Sequence, residues 1–312
     1  MGPVIGRKAP PHGAVEAAAA RLGARAERDA PLGARTTYGL GGPAALFAVV
    51  DDASDLEAVV GAVVASGVEV LVVGRGSNLL VAEAGFPGLC VVLGRGYGSF
   101  TIGDDRSVAA GGAVAYPALA RATARAGLSG LEWAVGVPGS VGGAVRMNAG
   151  GHGSQTADRL VSARLVALNT GAERTVPSGD LALSYRHSAV RRDEVVVEAS
   201  FALEAGDRAA SAAEIAEIVA WRRANQPGGR NAGSVFQNPP GDSAGRLIEL
   251  AGLKNLAVNG AHVARRHANF IQADPGASAG DVYRLICEVR RLVEKRCGVE
   301  LMTEICLVGF GP

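Results

Sequence analysis

The sequence contains few lysines, few aromatic residues and almost no net charge. Lysine occurs only as Lys8, Lys254 and Lys295, so arginine carries most of the positive charge. Aromatic residues make up 4% of the 312 residues, and the formal net charge is +1 at pH 7. A chain with so little net charge has no global field that would attract nucleic acid or an anionic membrane. This balance argues against both classes of partner.

The sequence also contains few cysteines. Cys90, Cys287, Cys297 and Cys306 form no Cys-x-x-Cys pair and stand apart from clustered histidines. This spacing argues against a zinc site and is typical of reduced thiols in a cytoplasmic protein. No segment has the apolar length of a signal peptide core or of a membrane span. We therefore expect a cytoplasmic protein without a metal, a nucleic-acid partner or a membrane partner.

Hydrophobic patterning predicts helices and strands in alternation. The predicted helices are 14–27, about 52–66 with Asp52 or Ser54 as cap, 116–126, 211–225, a short one over 242–252 with Gly252 as its C-terminal stop, and one that begins behind the Ser-x-x-Asp capping box at Ser278. The predicted strands are 68–74, 89–94, 162–169, 194–203, 267–273 and 300–309. Residues from about 207 onward are expected to form a separate α+β domain.

Glycine is concentrated in two segments, VVGRGSNLLV over 72–81 and GVPGSVGGAVRMNAGGHG over 136–153. Glycine costs roughly 0.5–1 kcal/mol relative to alanine inside regular structure, so such clusters indicate tight turns or a closely bound ligand. Exposed amides in such turns form an anion nest that suits a pyrophosphate. Leu79 stands where a dinucleotide-binding fingerprint has its third glycine, which disfavours a plain Rossmann fold.

The order of several motifs resembles that of a flavoenzyme family, the UDP-N-acetylenolpyruvoylglucosamine reductases. The motifs are TTYGLGGPA (36–44), GRGSNLL (74–80), GVPGSVGGAVRMNAG (136–150), SYRHS (184–188), AGSVFQNP (232–239), AGRLIELAGLK (244–254), HANFI (267–271) and GVELMTEICLVG (298–309). The resemblance implies an α+β chain. A two-part FAD-binding fold of the vanillyl-alcohol-oxidase (PCMH) type, with subdomains 1–95 and 96–206, would precede a C-terminal α+β substrate domain, 207–312.

The resemblance also implies a reaction. Members of this family use non-covalently bound FAD, with NADPH as reductant, to reduce UDP-N-acetylglucosamine enolpyruvate to UDP-N-acetylmuramate for peptidoglycan. The partner would be this small UDP-sugar, and we favour a monomer. Two alternatives stay open. One is an FAD-dependent oxidase or dehydrogenase of another sugar or alcohol on the same fold, and the other is a non-catalytic flavin or nucleotide-sugar binding protein.

Site residues follow from the resemblance alone. Arg186 would face the substrate carboxylate, Ser234 would supply a proton, and Glu304 would lie beside the developing enol. Arginine suits its role because it is always charged and can hold a carboxylate through two hydrogen bonds. The residues expected to contact FAD are Tyr38, Gly74, Gly76, Ser77, Asn78, Leu79, Gly136, Pro138, Gly139, Ser140, Gly142, Gly143, Asn148, Gly150 and Gly153. Those expected to contact substrate are Tyr185, Asn238 and Arg230.

This chain departs from the usual family pattern at three positions. Gly39 stands where a basic residue is common, Gln237 where lysine is common, and Arg146 where a neutral residue is usual. We therefore expect the charge around the substrate to be redistributed, and the candidates to neutralise the UDP diphosphate are Arg222, Arg223, Arg230 and Arg246. We expect His152 to be a turn or surface histidine and not a covalent flavin attachment site. The chain resembles the short form of the family, which lacks a lid that carries a tyrosine.

Overall fold

The computed structural model describes residues 4–5 and 13–311. Its α-helices are α1 (Ala14–Leu22), α2 (Ala53–Ser66), α3 (Tyr116–Arg125), α4 (Val141–Met147), α5 (Arg208–Asn225), α6 (Ala244–Leu250) and α7 (Ala279–Cys297). Its strands are β1 (Val4–Ile5), β2 (Ala26–Ala30), β3 (Ala44–Val50), β4 (Val70–Val72), β5 (Leu79–Val81), β6 (Phe86–Leu93), β7 (Phe100–Ile102), β8 (Ser107–Gly111), β9 (Leu128–Ser129), β10 (Gly150–Gly151), β11 (Ser154–Gln155), β12 (Leu160–Ala167), β13 (Glu173–Pro177), β14 (Glu194–Ala202), β15 (Glu204–Ala205), β16 (Ala257–Val258), β17 (Ala261–Val263), β18 (Ile271–Ala273) and β19 (Cys306–Val308).

Each third of the chain contributes a sheet, and a further sheet links the ends. The first sheet has the order β2-β3-β6-β4, with β3, β6 and β4 parallel and β2 antiparallel at its edge. The second has the order β13-β12-β14-β8-β7 and is antiparallel throughout. The third is the small antiparallel sheet β16-β17-β18. Finally, β19 pairs in parallel with both β1 and β5, which ties the last strand to the first third of the chain.

Apolar side chains bury separate cores between these layers. Strand β14 separates two of them, because Val195 and Val197 pack with α1, α2, β3 and β6, whereas Val196 packs with α3 and α4. Another core joins α6, α7 and the small sheet, and it includes Tyr38 and Leu80 from the first third of the chain. Burial of each large apolar side chain contributes roughly 1.5–3 kcal/mol. The last third is therefore packed directly onto the loops of the first.

Side-chain caps define the starts of two helices as the sequence predicts. Asp52 accepts a hydrogen bond from the amide of Asp55 at the start of α2. Ser278 and Asp281 form the reciprocal capping box of α7. Such a cap satisfies amides that have no partner within the helix and contributes about 1 kcal/mol. The predicted caps at Asp52 and Ser278 are therefore confirmed.

Several predicted boundaries are wrong. The first helix ends at Leu22 and not at residue 27, because residues 26–30 pair as β2 with β3. The segments 267–273 and 300–309 were expected to be strands, yet only Ile271–Ala273 and Cys306–Val308 are paired. The second glycine segment contains helix α4 in addition to turns.

Helix α5 packs on the second sheet layer. Its Ile218 lies in the core of α3 and α4, and the hydroxyl of Ser211 donates to the buried Glu132 carboxylate at 2.6 Å. The limits 1–95, 96–206 and 207–312 stay a prediction. In the structure, α5 contacts the unit that precedes residue 207.

Candidate active site

A large cavity lies between both glycine-rich segments, the start of β14 and the C-terminal region. Its volume is about 1320 Å³. Pockets for drug-sized ligands measure roughly 300–1,000 Å³. The cavity therefore has room for a ligand as long as a dinucleotide and for a second molecule beside it.

The first glycine segment turns its backbone amides toward this cavity. Within the described ranges, the amides of residues 74–78 donate to no protein acceptor, although all five residues line the cavity. Gly76 has a φ of 65°, and a Cβ at that position would lie 2.5 Å from the carbonyl oxygen of Arg35. Consecutive free amides form a concave anion-binding nest. This segment fits the diphosphate of FAD.

The second glycine segment leads into a helix. Ser140 caps α4, since its Oγ accepts from the amide of Gly143 at 3.3 Å. A Cβ on Gly74 would lie 2.6 Å from that same Oγ. The two glycine segments are therefore in contact, and a side chain at position 74 would clash with Ser140.

Most residues predicted to contact FAD line the cavity, namely Gly74, Gly76, Ser77, Asn78, Leu79, Gly136, Pro138, Gly139, Ser140, Gly142, Gly143 and Gly150. Three of the predicted residues lie outside the lining. Tyr38 is fully buried in the C-terminal core, where its hydroxyl donates to the carbonyl of Ile271 at 3.0 Å. Gly153 lies between β10 and β11 with a φ of 86°.

Asn148 is the third residue placed outside the cavity lining. Its side chain is 1% exposed. Its Nδ2 donates to Gln155 Oε1 at 3.0 Å and to the carbonyl of Ser184 at 2.9 Å, while its Oδ1 accepts from the amide of Ala157 at 2.9 Å. The side chain of Asn148 therefore joins three loops and has its hydrogen bonds within the protein. The structure places the Asn148 amide outside the cavity lining, and its contact with the cofactor stays a prediction.

Arg186, Ser234 and Glu304 meet at one wall of the cavity although they are distant in sequence. The Nε of Arg186 donates to Oε1 of Glu304 at 2.7 Å. Ser234 precedes Val235, whose carbonyl accepts from the amide of Glu304 at 2.7 Å. Arg186 has a φ of 55°. Such a left-handed backbone is unusual for arginine, and local strain of this kind is concentrated at functional sites.

The carboxyl of Glu304 is largely buried, with 15% of its side chain exposed. Burial raises its pKa, and the charge and hydrogen bond of Arg186 oppose that rise. A guanidinium has five N–H donors, and the contact with Glu304 uses one. The hydroxyl of Ser234 makes no hydrogen bond to the described part of the protein. Arg186 could therefore bind a carboxylate ligand, and the hydroxyl of Ser234 could donate a proton to an acceptor beside it.

The three residues predicted to contact substrate are not placed together. Asn238 lines the cavity, and its amide donates to the hydroxyl oxygen of Tyr185 at 3.3 Å. The ring of Tyr185 lies 5.0 Å from Cζ of Arg186, outside the cavity lining. Arg230 also lies outside the lining, near Gly39. Asn238 and Tyr185 therefore adjoin Arg186, whereas Arg230 does not.

The cavity lining also contains Trp221, which the sequence did not single out. Its ring meets the ring of His152 edge-on at 5.2 Å. Arg222, the one cavity-lining member of the four arginines considered for the diphosphate, donates to the carbonyl of Gly136 and to Gln226 Oε1. Burial and the charge of Arg222 lower the pKa of His152. The lowered pKa favours the neutral form of its imidazole. No spacing in the sequence links the end of α5 to residue 136.

Two parts of the chain match two different protein families. Residues 44–176 match the FAD binding domain family, and residues 225–308 match the UDP-N-acetylenolpyruvoylglucosamine reductase C-terminal domain family. The reductase of that name from Heliobacterium modesticaldum is 45% identical over 282 residues, which is 89% of each chain. The chain belongs to the UDP-N-acetylenolpyruvoylglucosamine reductase family. The family member from Methylorubrum populi is 41% identical over 95% of each chain.

A solved structure of this family supports the same assignment. The crystal structure of the reductase from Thermus caldophilus superposes with a TM-score of 0.80 at 33% identity and covers 91% of this chain and 99% of that one. The predicted two-part FAD-binding fold with a C-terminal α+β domain is confirmed. Both glycine segments fall in the FAD-binding match, whereas Ser234 and Glu304 fall in the reductase-specific match.

Among the described residues, we find no helix with the length and apolar character needed to cross a membrane. The same residues contain no group of three or more His, Cys, Asp or Glu placed to hold a metal ion.

Proposed function

We propose that this chain reduces UDP-N-acetylglucosamine enolpyruvate to UDP-N-acetylmuramate, with NADPH as reductant, for peptidoglycan synthesis. The observation that carries the proposal is that Arg186, Ser234 and Glu304 line one cavity together with the FAD-binding segments. An FAD-binding domain alone would suit many oxidoreductases. The placement of Ser234 and Glu304 in the reductase-specific match selects this one.

FAD and NADPH are the cofactors of this family, and the residues present fit FAD. The free amides of residues 74–78 suit its diphosphate, and Gly136 and Gly150 line the same cavity without side chains. When bound, FAD accepts a hydride from NADPH and passes a hydride to the substrate.

Arg186 is proposed to hold the carboxylate of the enolpyruvyl group. Hydride addition at the methylene carbon leaves an electron pair on the neighbouring carbon, which is delocalised into that carboxylate. A fixed cation at this position stabilises charge that grows in the transition state, an effect worth about 3–4 kcal/mol per donor. The hydrogen bond to Glu304 orients the guanidinium before substrate arrives, which reduces reorganisation.

Ser234 is proposed to complete the new C–H bond. Its hydroxyl would give a proton to the carbon that carries the electron pair, and the resulting alkoxide would regain a proton from its surroundings. Glu304 is suited to assist because its raised pKa keeps the carboxyl protonated to a higher pH than an exposed glutamate. A protonated carboxyl could polarise the enol or help to protonate it.

Asn238 and Tyr185 are proposed to contact the substrate because they adjoin Arg186. We place the reaction in the cytoplasm. The four cysteines are free thiols, which is the usual state in a reducing compartment.

Anaerobic half-reactions test this function. The FAD-loaded protein is first reduced with a stoichiometric amount of NADPH, and UDP-N-acetylglucosamine enolpyruvate is then added while flavin absorbance is followed. We expect rapid reoxidation with formation of UDP-N-acetylmuramate. Reoxidation only by oxygen, together with turnover of simple alcohols, would favour an oxidase and overturn the proposal. Tight binding of the UDP-sugar without reoxidation would indicate a non-catalytic binding protein.

A further inference from the structure

Arg146 lines the cofactor cavity from helix α4. Side chains on an α-helix lean toward its N-terminus and cover the turn that precedes their own Cα. The turn before Arg146 contains Gly142 and Gly143, which also line the cavity and carry no side chain. Arg146 therefore lines the cavity from the same helix as Gly142 and Gly143 of the second glycine segment.

Arg146 shares the cavity with a residue that is hydrogen-bonded to the segment with free amides. That residue is Cys306, which lines the same cavity as Arg146. The amide of Cys306 donates to the carbonyl of Asn78 at 2.9 Å. Asn78 is the last residue of the 74–78 segment. Arg146 thus shares the cavity with the 74–78 segment and with Cys306, which is hydrogen-bonded to that segment.

The charge of Arg146 has no carboxylate partner within the described residues. Glu194, the acid that acts on it electrostatically, instead holds Arg174 at 2.8 Å and accepts from the amide of Arg191 at 2.7 Å. Burial lowers the pKa of Arg146, and the neighbouring Arg192 lowers it further. A buried cation is unfavourable unless an anion accompanies it. The cavity therefore has excess positive charge at this point.

We propose that Arg146 binds the diphosphate of FAD and supplies the charge that the backbone amides of residues 74–78 lack. A guanidinium can donate two parallel hydrogen bonds to phosphate oxygens, which a neutral side chain cannot do. Arg146 is one of the positions at which this chain departs from the usual family pattern. The inference rests on FAD as cofactor, which is part of the proposed function, but not on the identity of the substrate.

Equilibrium binding of FAD tests this role without turnover. FAD-loaded wild type, Arg146→Gln and Arg146→Lys are diluted, and the released flavin is measured by fluorescence. Arg21→Gln is the matched control, because Arg21 is an exposed arginine on α1 outside this cavity and outside the pocket beside it. We expect Arg146→Gln to raise the Kd for FAD at least ~10-fold, about 1.4 kcal/mol. Arg146→Lys should retain part of the affinity, and the control should match wild type.

Two further measurements separate the diphosphate from the flavin ring. The Kd for riboflavin, which has no diphosphate, should be the same in wild type and Arg146→Gln. The Kd for FAD should depend less on salt in Arg146→Gln than in wild type, because a charge pair has been lost. An unchanged Kd for FAD, or an equal loss of FAD and riboflavin affinity, would overturn the inference.

Thermal unfolding of the FAD-free proteins controls for folding. Arg146→Gln should unfold at the same or a higher temperature than wild type, because the substitution removes a half-buried charge that has no carboxylate partner within the described residues. A lower unfolding temperature would contradict the inference, since it would mean that the protein itself compensates the charge. A protein that binds FAD through Arg146 yet fails to reduce the enolpyruvyl sugar would overturn the proposed function and leave this inference intact.

Discussion

Replacement of Ser234 by alanine is expected to separate the two halves of the reaction. Reduction of the flavin by NADPH requires no proton from this hydroxyl and should keep its wild-type rate. Reoxidation by the enolpyruvyl sugar requires that proton and should be slowed about 10²–10⁴-fold, the usual contribution of a positioned acid. At about 1.4 kcal/mol per tenfold, this corresponds to a barrier about 3–5 kcal/mol higher.

The structure also predicts that Ser234→Ala leaves stability unchanged. Since the hydroxyl makes no hydrogen bond to the described part of the protein, its loss strands no partner. The free energy of unfolding should stay within about 0.5 kcal/mol of wild type. Ser99→Ala, at an exposed serine outside the cavity, is the matched control. Anaerobic stopped-flow absorbance measures both half-reactions. Wild-type reoxidation would refute proton donation by Ser234, and equal slowing of both halves would instead indicate a displaced cofactor.

Four more substitutions test the site and the structure that supports it. Burial raises the pKa of Glu304 in the folded protein. The free energy of unfolding of wild type should therefore fall as the pH rises from the usual carboxyl pKa through the raised pKa. Thermal unfolding of Glu304→Gln should not show this fall. A Cβ at position 74 would meet the cap of α4 at 2.6 Å, so Gly74→Ala should weaken FAD binding in a fluorescence titration. Gly61→Ala, in open space on α2, should raise stability by about 0.5–1 kcal/mol in denaturant unfolding and leave FAD binding unchanged. Asn148→Ala removes three hydrogen bonds and should lower the free energy of unfolding by about 3 kcal/mol, and wild-type stability would contradict its linking role.

Local chemistry made much of the fold predictable. Asp52 and Ser278 predict helix starts because their side chains accept hydrogen bonds from amides three residues further along the chain. This effect needs no distant partner. The predicted end of the first helix at residue 27 was wrong because the alanine-rich helical pattern continues into residues that pair with β3. Helix α4 was missed because glycine suggested turns, although Ser140 followed by apolar residues is itself a helix-start signal.

The site was predictable in its parts but not in its geometry. The glycine segments are typical of a phosphate-binding backbone wherever they occur, and their place along the cavity agrees with that expectation. The contact between Arg186 and Glu304 depends on how distant segments pack, and no periodicity encodes it. The FAD contacts of Tyr38 and Asn148 stay predictions, since the structure shows both side chains bonded within the protein interior.

The parallel sheet β1-β19-β5 has a practical consequence for anyone who modifies this protein. Strand β19 follows Glu304 by two residues, and β5 begins directly after Asn78. Shortening the chain into β19, or burdening it with a rigid fusion close behind Val308, would release Leu79–Val81 from its neighbour. Loss of the yellow flavin colour in such preparations would then indicate that β5 has lost its pairing with β19, and not that residues 74–78 are themselves damaged.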